Sequence, residues 1–147
     1  FRCAMTSVGG HCVFSSEWDK FAAHTYETWY GKDHVFKDDI RNLDPKNILD
    51  HEILCAGFPC QPFSVAGKRK GKDDDRFLWP EMSRIISEIR PRWVIGENVA
   101  GFVNMALDDC IADLESKGYE VQPFIIPACG VEAWHRRDRI WIIAYRH

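Results

Sequence analysis

The chain has 147 residues, 46% hydrophobic and 28% charged, which supplies apolar material for one globular core and excludes a disordered or membrane-embedded class. Its formal net charge of -3 excludes a general attraction for polyanions, so any nucleic-acid binding has to come from local basic patches. No run approaches the roughly 20 apolar residues of a spanning helix, and the first residues lack a secretory leader's layout, so a cytoplasmic protein is expected.

Strand and helix patterns take turns along the chain. Residues 11–17 (His-Cys-Val-Phe-Ser-Ser-Glu) read as a strand ending in an acid, and residues 20–30 as a helix stopped by Gly31. Residues 51–57 read as a second strand. Beyond a loop that is first basic and then acidic, residues 80–89 read as a helix with Met82, Ile85, Ile86 and Ile89 on one face, stopped by Pro91. A strand follows at 92–98, again delivering an acid, Glu97, near its carboxyl end. A helix near 104–117 closed by Gly118 leads to strands at 119–126 and 139–145.

This alternation predicts an α/β fold with a doubly wound sheet, where ligands bind outside the carboxyl ends of the strands. Glu17, Asp39, Cys60 and Glu97 each lie at or just after a strand-like stretch, so the rule gathers them along one edge.

The six cysteines form no Cys-x-x-Cys pair, which argues against a zinc site or a disulfide framework and for reduced thiols. Cys55, inside an apolar strand, reads as a small core hydrophobe. Cys60 differs: it follows the strand on a loop stiffened by Pro59 and Pro62, near basic residues that favour the reactive thiolate. A carboxyl such as Glu97, at a strand end inside an apolar sheet, is expected to favour its protonated form and to donate to a ring nitrogen. The two basic patches are Lys68-Arg69-Lys70-Gly71-Lys72 and His135-Arg136-Arg137-Asp138-Arg139. Each also has the plain reading of solvated loop charge.

Four blocks then carry a resemblance: Ser16-Glu17-Trp18-Asp19-Lys20-Phe21-Ala22, Gly57-Phe58-Pro59-Cys60-Gln61-Pro62-Phe63-Ser64, Glu97-Asn98-Val99, and His135-Arg136-Arg137-Asp138-Arg139-Ile140-Trp141. In this order they resemble the C5-cytosine DNA methyltransferases of bacterial and phage type, over essentially the whole chain. The resemblance implies a Rossmann-like, S-adenosylmethionine-dependent methyltransferase sheet with helices on both faces. It implies that Cys60 adds to C6 of a cytosine rotated out of DNA and that Glu97 contacts N3 and the exocyclic amine. Arg137 and Arg139 would hold the cytosine carbonyl and order the site.

By the same resemblance Glu17 meets the cofactor's ribose hydroxyls, Trp18 packs on its adenine, and Asp39 with Ile40 meets the adenine edge. Asp39 also reads as a helix cap before Arg41. The stretch from Ser64 to Asp75 corresponds to the family's catalytic loop. Gln61, Ser64, Lys68 and Arg69 become candidate DNA contacts, with Lys70 and Lys72 beside them.

Departures are equally legible. The family's Phe-x-Gly-x-Gly block on the first strand and its target recognition region have no counterpart in residues 1–147. The expectation is a partial catalytic domain, inactive in isolation, whose missing segments a second polypeptide would supply. His135 stands where the family usually has glutamine, and Trp134 where it often has proline. Two rival readings are a non-catalytic scaffold of the same fold and cytosine-5 methylation of transfer RNA.

Overall fold

The computed structural model describes residues 1–32, 35–59 and 77–147. The chain divides into two compact units, Phe1–His51 and Glu52–His147.

In the first unit, helix α1 spans Arg2–Ser7 and helix α2 spans Lys20–Tyr30. Asp19 caps α2 by accepting from the backbone N–H groups of Phe21 and Ala22, at 3.0 and 2.8 Å. Gly31, at φ 87°, ends the helix in a conformation open to glycine and costly for most side chains. The strand expected over 11–17 is much shorter. Among the described residues, β1 (Ser15–Ser16) pairs in parallel with β2 (Val35–Phe36). Upstream the chain turns on itself, the Cys12 thiol donating to the Phe14 carbonyl at 3.1 Å.

The second unit is a four-stranded sheet with order β3-β4-β6-β5, built from β3 (Ile53–Gly57), β4 (Trp93–Val99), β5 (Glu120–Ile126) and β6 (Arg139–Tyr145). β3 and β4 are parallel, but β6 is antiparallel to both β4 and β5, so the sheet is mixed. The physical reason lies in the connection 127–138. It carries only a 3-10 turn at Ala128–Val131, too little for the crossover that a parallel return needs. Pro123, which cannot donate to a ladder, sits on β5 at one end of the strand order, where such a residue is tolerated.

Helix α3 spans Trp79–Ile89 and α4 spans Leu107–Ser116. The helix expected over 104–117 is thus divided: a 3-10 turn at Ala100–Asn104 precedes α4, whose first turn carries Asp108 and Asp109, favourable at a helix amino end. Met82, Ile85 and Ile86 of α3 are buried as their spacing requires, while Ile89 is half-buried. Together with Leu107, Cys110 and Leu114 of α4, Met82 and Ile86 cover the sheet face formed by Val94, Ile140, Ile142 and Ala144. Phe58 joins this core between Trp79 and Phe102, at ring-centroid distances of 5.4 and 5.3 Å.

Candidate active site

The strand alternation of β4 sorts its side chains. Val94, Gly96 and Asn98 point into the core, and Glu97 points to the other face. Because β6 runs opposite to β4, it begins where β4 ends: Val99 lies opposite Arg139, and Glu97 opposite Trp141. The Arg139 Nε therefore reaches Glu97 Oε1 at 2.8 Å, with side-chain exposures of 23% and 27%. The guanidinium also donates to the Asp138 carbonyl at 2.9 Å. A carboxyl isolated among apolar groups, as expected for Glu97, is not what forms; antiparallel pairing delivers a cation to it.

Asn98 is 3% exposed. Its Nδ2 donates to the Phe58 carbonyl at 3.1 Å, and its Oδ1 accepts from the Val99 N–H at 2.9 Å. This side chain ties the end of β4 to the segment leaving β3, two residues before Cys60. The sequence shows Asn98 within the Glu-Asn-Val block without revealing this task. The available signal was its period-two placement with Val94 and Gly96, which puts an amide on the buried face, where it must find partners.

Arg137 stands two residues before β6 rather than on the strand, exposed and at φ 35°, a left-handed conformation unusual for a side-chain-bearing residue. Arg136 pairs with Asp138 at 2.9 Å. Cys55 is half-buried in β3, and burial pushes its thiol pKa up, in keeping with a core role. Cys60, Gln61, Ser64, Lys68 and Arg69 lie outside the described residues.

The cofactor candidates belong to the first unit. Glu17 follows β1 directly. Its N–H donates to the Phe36 carbonyl at 3.0 Å, and its carboxylate accepts from the Asp19 N–H at 3.0 Å. Trp18 is 71% exposed. Asp39 follows β2, caps the 3-10 turn Ile40–Asn42 by accepting from the Arg41 N–H, and pairs with the Arg41 side chain at 2.8 Å. Its hydrogen bond with Arg41 holds its carboxyl below the usual range. The cap reading of Asp39 is thus realised, and half-buried Ile40 opens that turn. Parallel pairing of β1 and β2 sends Glu17 and Asp39 out at the same end of their two-stranded sheet.

A mixed α/β sheet with paired charges where adjacent strands end and begin, beside the root of a Pro-Cys segment, defines a Rossmann-like methyltransferase fold. The solved structures of Dnmt2 methyltransferase from S. pombe and of a DNMT2 mutant from Spodoptera frugiperda share this fold. Their TM-scores are 0.78 and 0.79, at 21% and 23% identity, covering 97% and 99% of this chain and 46% of each of theirs. The family model for C-5 cytosine-specific DNA methylase matches residues 1–147, and the chain belongs to that family. The type II methyltransferase M.HhaI of Haemophilus parahaemolyticus is 38% identical over 152 residues, covering 100% of this chain and 46% of the relative. M.HpaII of Haemophilus parainfluenzae is 38% identical over 154 residues, covering 99% and 42%. The chain therefore spans under half the length of these relatives.

Proposed function

We propose that the chain is part of the catalytic domain of a DNA (cytosine-5) methyltransferase that uses S-adenosylmethionine. The observation that carries this reading is the Glu97–Arg139 pair, set where β4 ends and β6 begins, with Asn98 fastening the segment that runs into Pro59 and Cys60.

In this reading the Cys60 thiolate adds to C6 of an extruded cytosine, and the electron pair of the C5–C6 double bond moves toward C5. Glu97 meets N3 and the exocyclic amine, Arg139 and Arg137 hold the carbonyl oxygen, and the charge that builds on the ring is stabilised where it develops. When bound, S-adenosylmethionine would supply an electrophilic methyl group to C5, the S–CH3 bond breaking with its electron pair left on the thioether sulfur of S-adenosylhomocysteine. Loss of the C5 proton to a base then restores the double bond and expels Cys60 as thiolate. The first unit's donor set fits such a cofactor: a carboxylate, Glu17, suits ribose hydroxyls, and the exposed Trp18 ring suits a purine face. In this reading Gln61, Ser64, Lys68 and Arg69 contact the DNA, and the protein works in the cytoplasm of a bacterial or phage-infected cell.

The test is mechanism-based trapping with the protein made from its full reading frame, S-adenosylmethionine and DNA containing 5-fluorocytosine. Fluorine at C5 blocks the final elimination, so a covalent protein–DNA adduct located on Cys60 by mass spectrometry, and lost in Cys60→Ser, is expected. Cofactor binding without an adduct would leave the non-catalytic scaffold reading, and trapping on transfer RNA alone would move the substrate to RNA.

A further inference from the structure

The connection 127–138 presents a side chain that the reaction above does not use. Trp134 is 96% exposed, more than any other large hydrophobic side chain among the described residues. An indole carries roughly 150–250 Å² of surface that water accommodates poorly; a single exposed ring is ordinary, but one held out by a hydrogen-bonded loop among guanidinium groups offers a contact of defined chemistry. The support here is rigid. The Ala128 N–H donates to the Arg136 carbonyl at 2.7 Å, the Ala133 N–H to the Ala128 carbonyl at 3.1 Å, and the Gly130 N–H to the Pro127 carbonyl at 2.9 Å. Glu132 and Arg137 hold left-handed conformations, at φ 69° and 35°. His135 packs edge-on against the indole at 5.2 Å, its Nδ1 buried without a hydrogen-bond partner among the described residues. The histidine is tucked into the loop while the tryptophan stands out of it.

The neighbours of the ring select its partner. Arg136, paired through its Nε with Asp138 but with 83% of its side chain exposed, and exposed Arg137 follow it closely, and Arg139 begins β6 five residues on, paired with Glu97. Guanidinium groups beside a solvent-facing indole suit a polyanion that also offers flat π-faces, which is nucleic acid. We propose that Trp134 is a base-stacking contact, its ring meeting a base next to the cytosine that Glu97 and Arg139 receive, while Arg136 meets the phosphate backbone. This inference rests on the proposed methyltransferase reading.

The test uses the protein from its full reading frame and a duplex containing the sequence it methylates, with 2-aminopurine placed on one side or the other of the target cytosine. The unaltered protein is expected to quench the probe at one of the two positions. Trp134→Ala should abolish that quenching and weaken binding about 5- to 150-fold, as loss of one stacked base does, with an unchanged salt slope. Trp134→Phe should keep most of both signals. Arg136→Ala should instead flatten the salt slope by about one unit. Trp134→Ala that quenches and binds like the unaltered protein overturns the inference and leaves the methyltransferase reading intact. Trp134→Ala that melts at lower temperature while binding normally overturns it too, because the ring would then be packed against another part of the polypeptide. Failure of the unaltered protein to bind DNA would sink both readings.

Discussion

The ion pair of Glu97 and Arg139 and the amide of Asn98 sit side by side on β4 and β6 and have different physical tasks. The pair is partly exposed, and such pairs add only about 0–1 kcal/mol to stability, so stability is a weak reason for its presence. Its two groups instead place opposite charges where a polar heterocycle would be bound. Asn98 is the reverse case. Its removal strands the Phe58 carbonyl in a buried setting, and an unsatisfied buried group costs about 1–3 kcal/mol. Asn98→Ala should therefore lower the urea unfolding midpoint, and a midpoint equal to that of the unaltered protein would refute this role. Glu97 was legible as an acid at a strand end. Arg139 was legible as a basic residue of the same site, but its direct pairing with Glu97 was not, because it depends on the antiparallel register.

A polar cluster joins helices α3 and α4. Asp113 on α4 accepts from the Trp79 indole N–H at 3.1 Å and pairs with Lys117 one turn on. Burial alone would push the Asp113 carboxyl up, but hydrogen bonds from Lys117, Ser83 and Trp79, with the Lys117 charge, together hold it below the usual carboxylate range. A carboxyl whose folded value is depressed contributes stability that is present above its unfolded value and lost as pH falls through its folded one. Asp113→Asn should accordingly cost about 1 kcal/mol near neutral pH and reduce the acid-side loss of stability, read as melting temperature against pH. An identical pH profile in the variant would mean that Asp113 titrates alike in the folded and unfolded chain. The same cluster ties Trp79, at the start of α3, to α4.

Across the 147 residues the net charge is -3, so the DNA binding proposed above must be local. Replacing Lys68, Arg69, Lys70 and Lys72 together by alanine should weaken DNA binding and flatten its dependence on salt, by up to about 0.9 for each phosphate that is no longer neutralised. A salt slope equal to that of the unaltered protein would remove this segment from the DNA interface.

Much of the architecture follows from local pattern. The strand expected over 51–57, which forms at Ile53–Gly57, the helix face of Met82, Ile85 and Ile86, and the stop signals Gly31, Pro91 and Gly118 act through neighbours within a few residues. The blocks around Glu17, Cys60, Glu97 and Arg139 identify the family because they are contiguous stretches of sequence. Pairing partners are different in kind, since a strand's length and direction depend on another segment far along the chain. Residues 11–17 have the composition of a long strand, yet among the described residues the ladder covers Ser15 and Ser16, with Glu17 adding one hydrogen bond to Phe36. The direction of β6, the meeting of Arg139 with Glu97, and the clasp of Asn98 on Phe58 are decided only when distant segments are brought together.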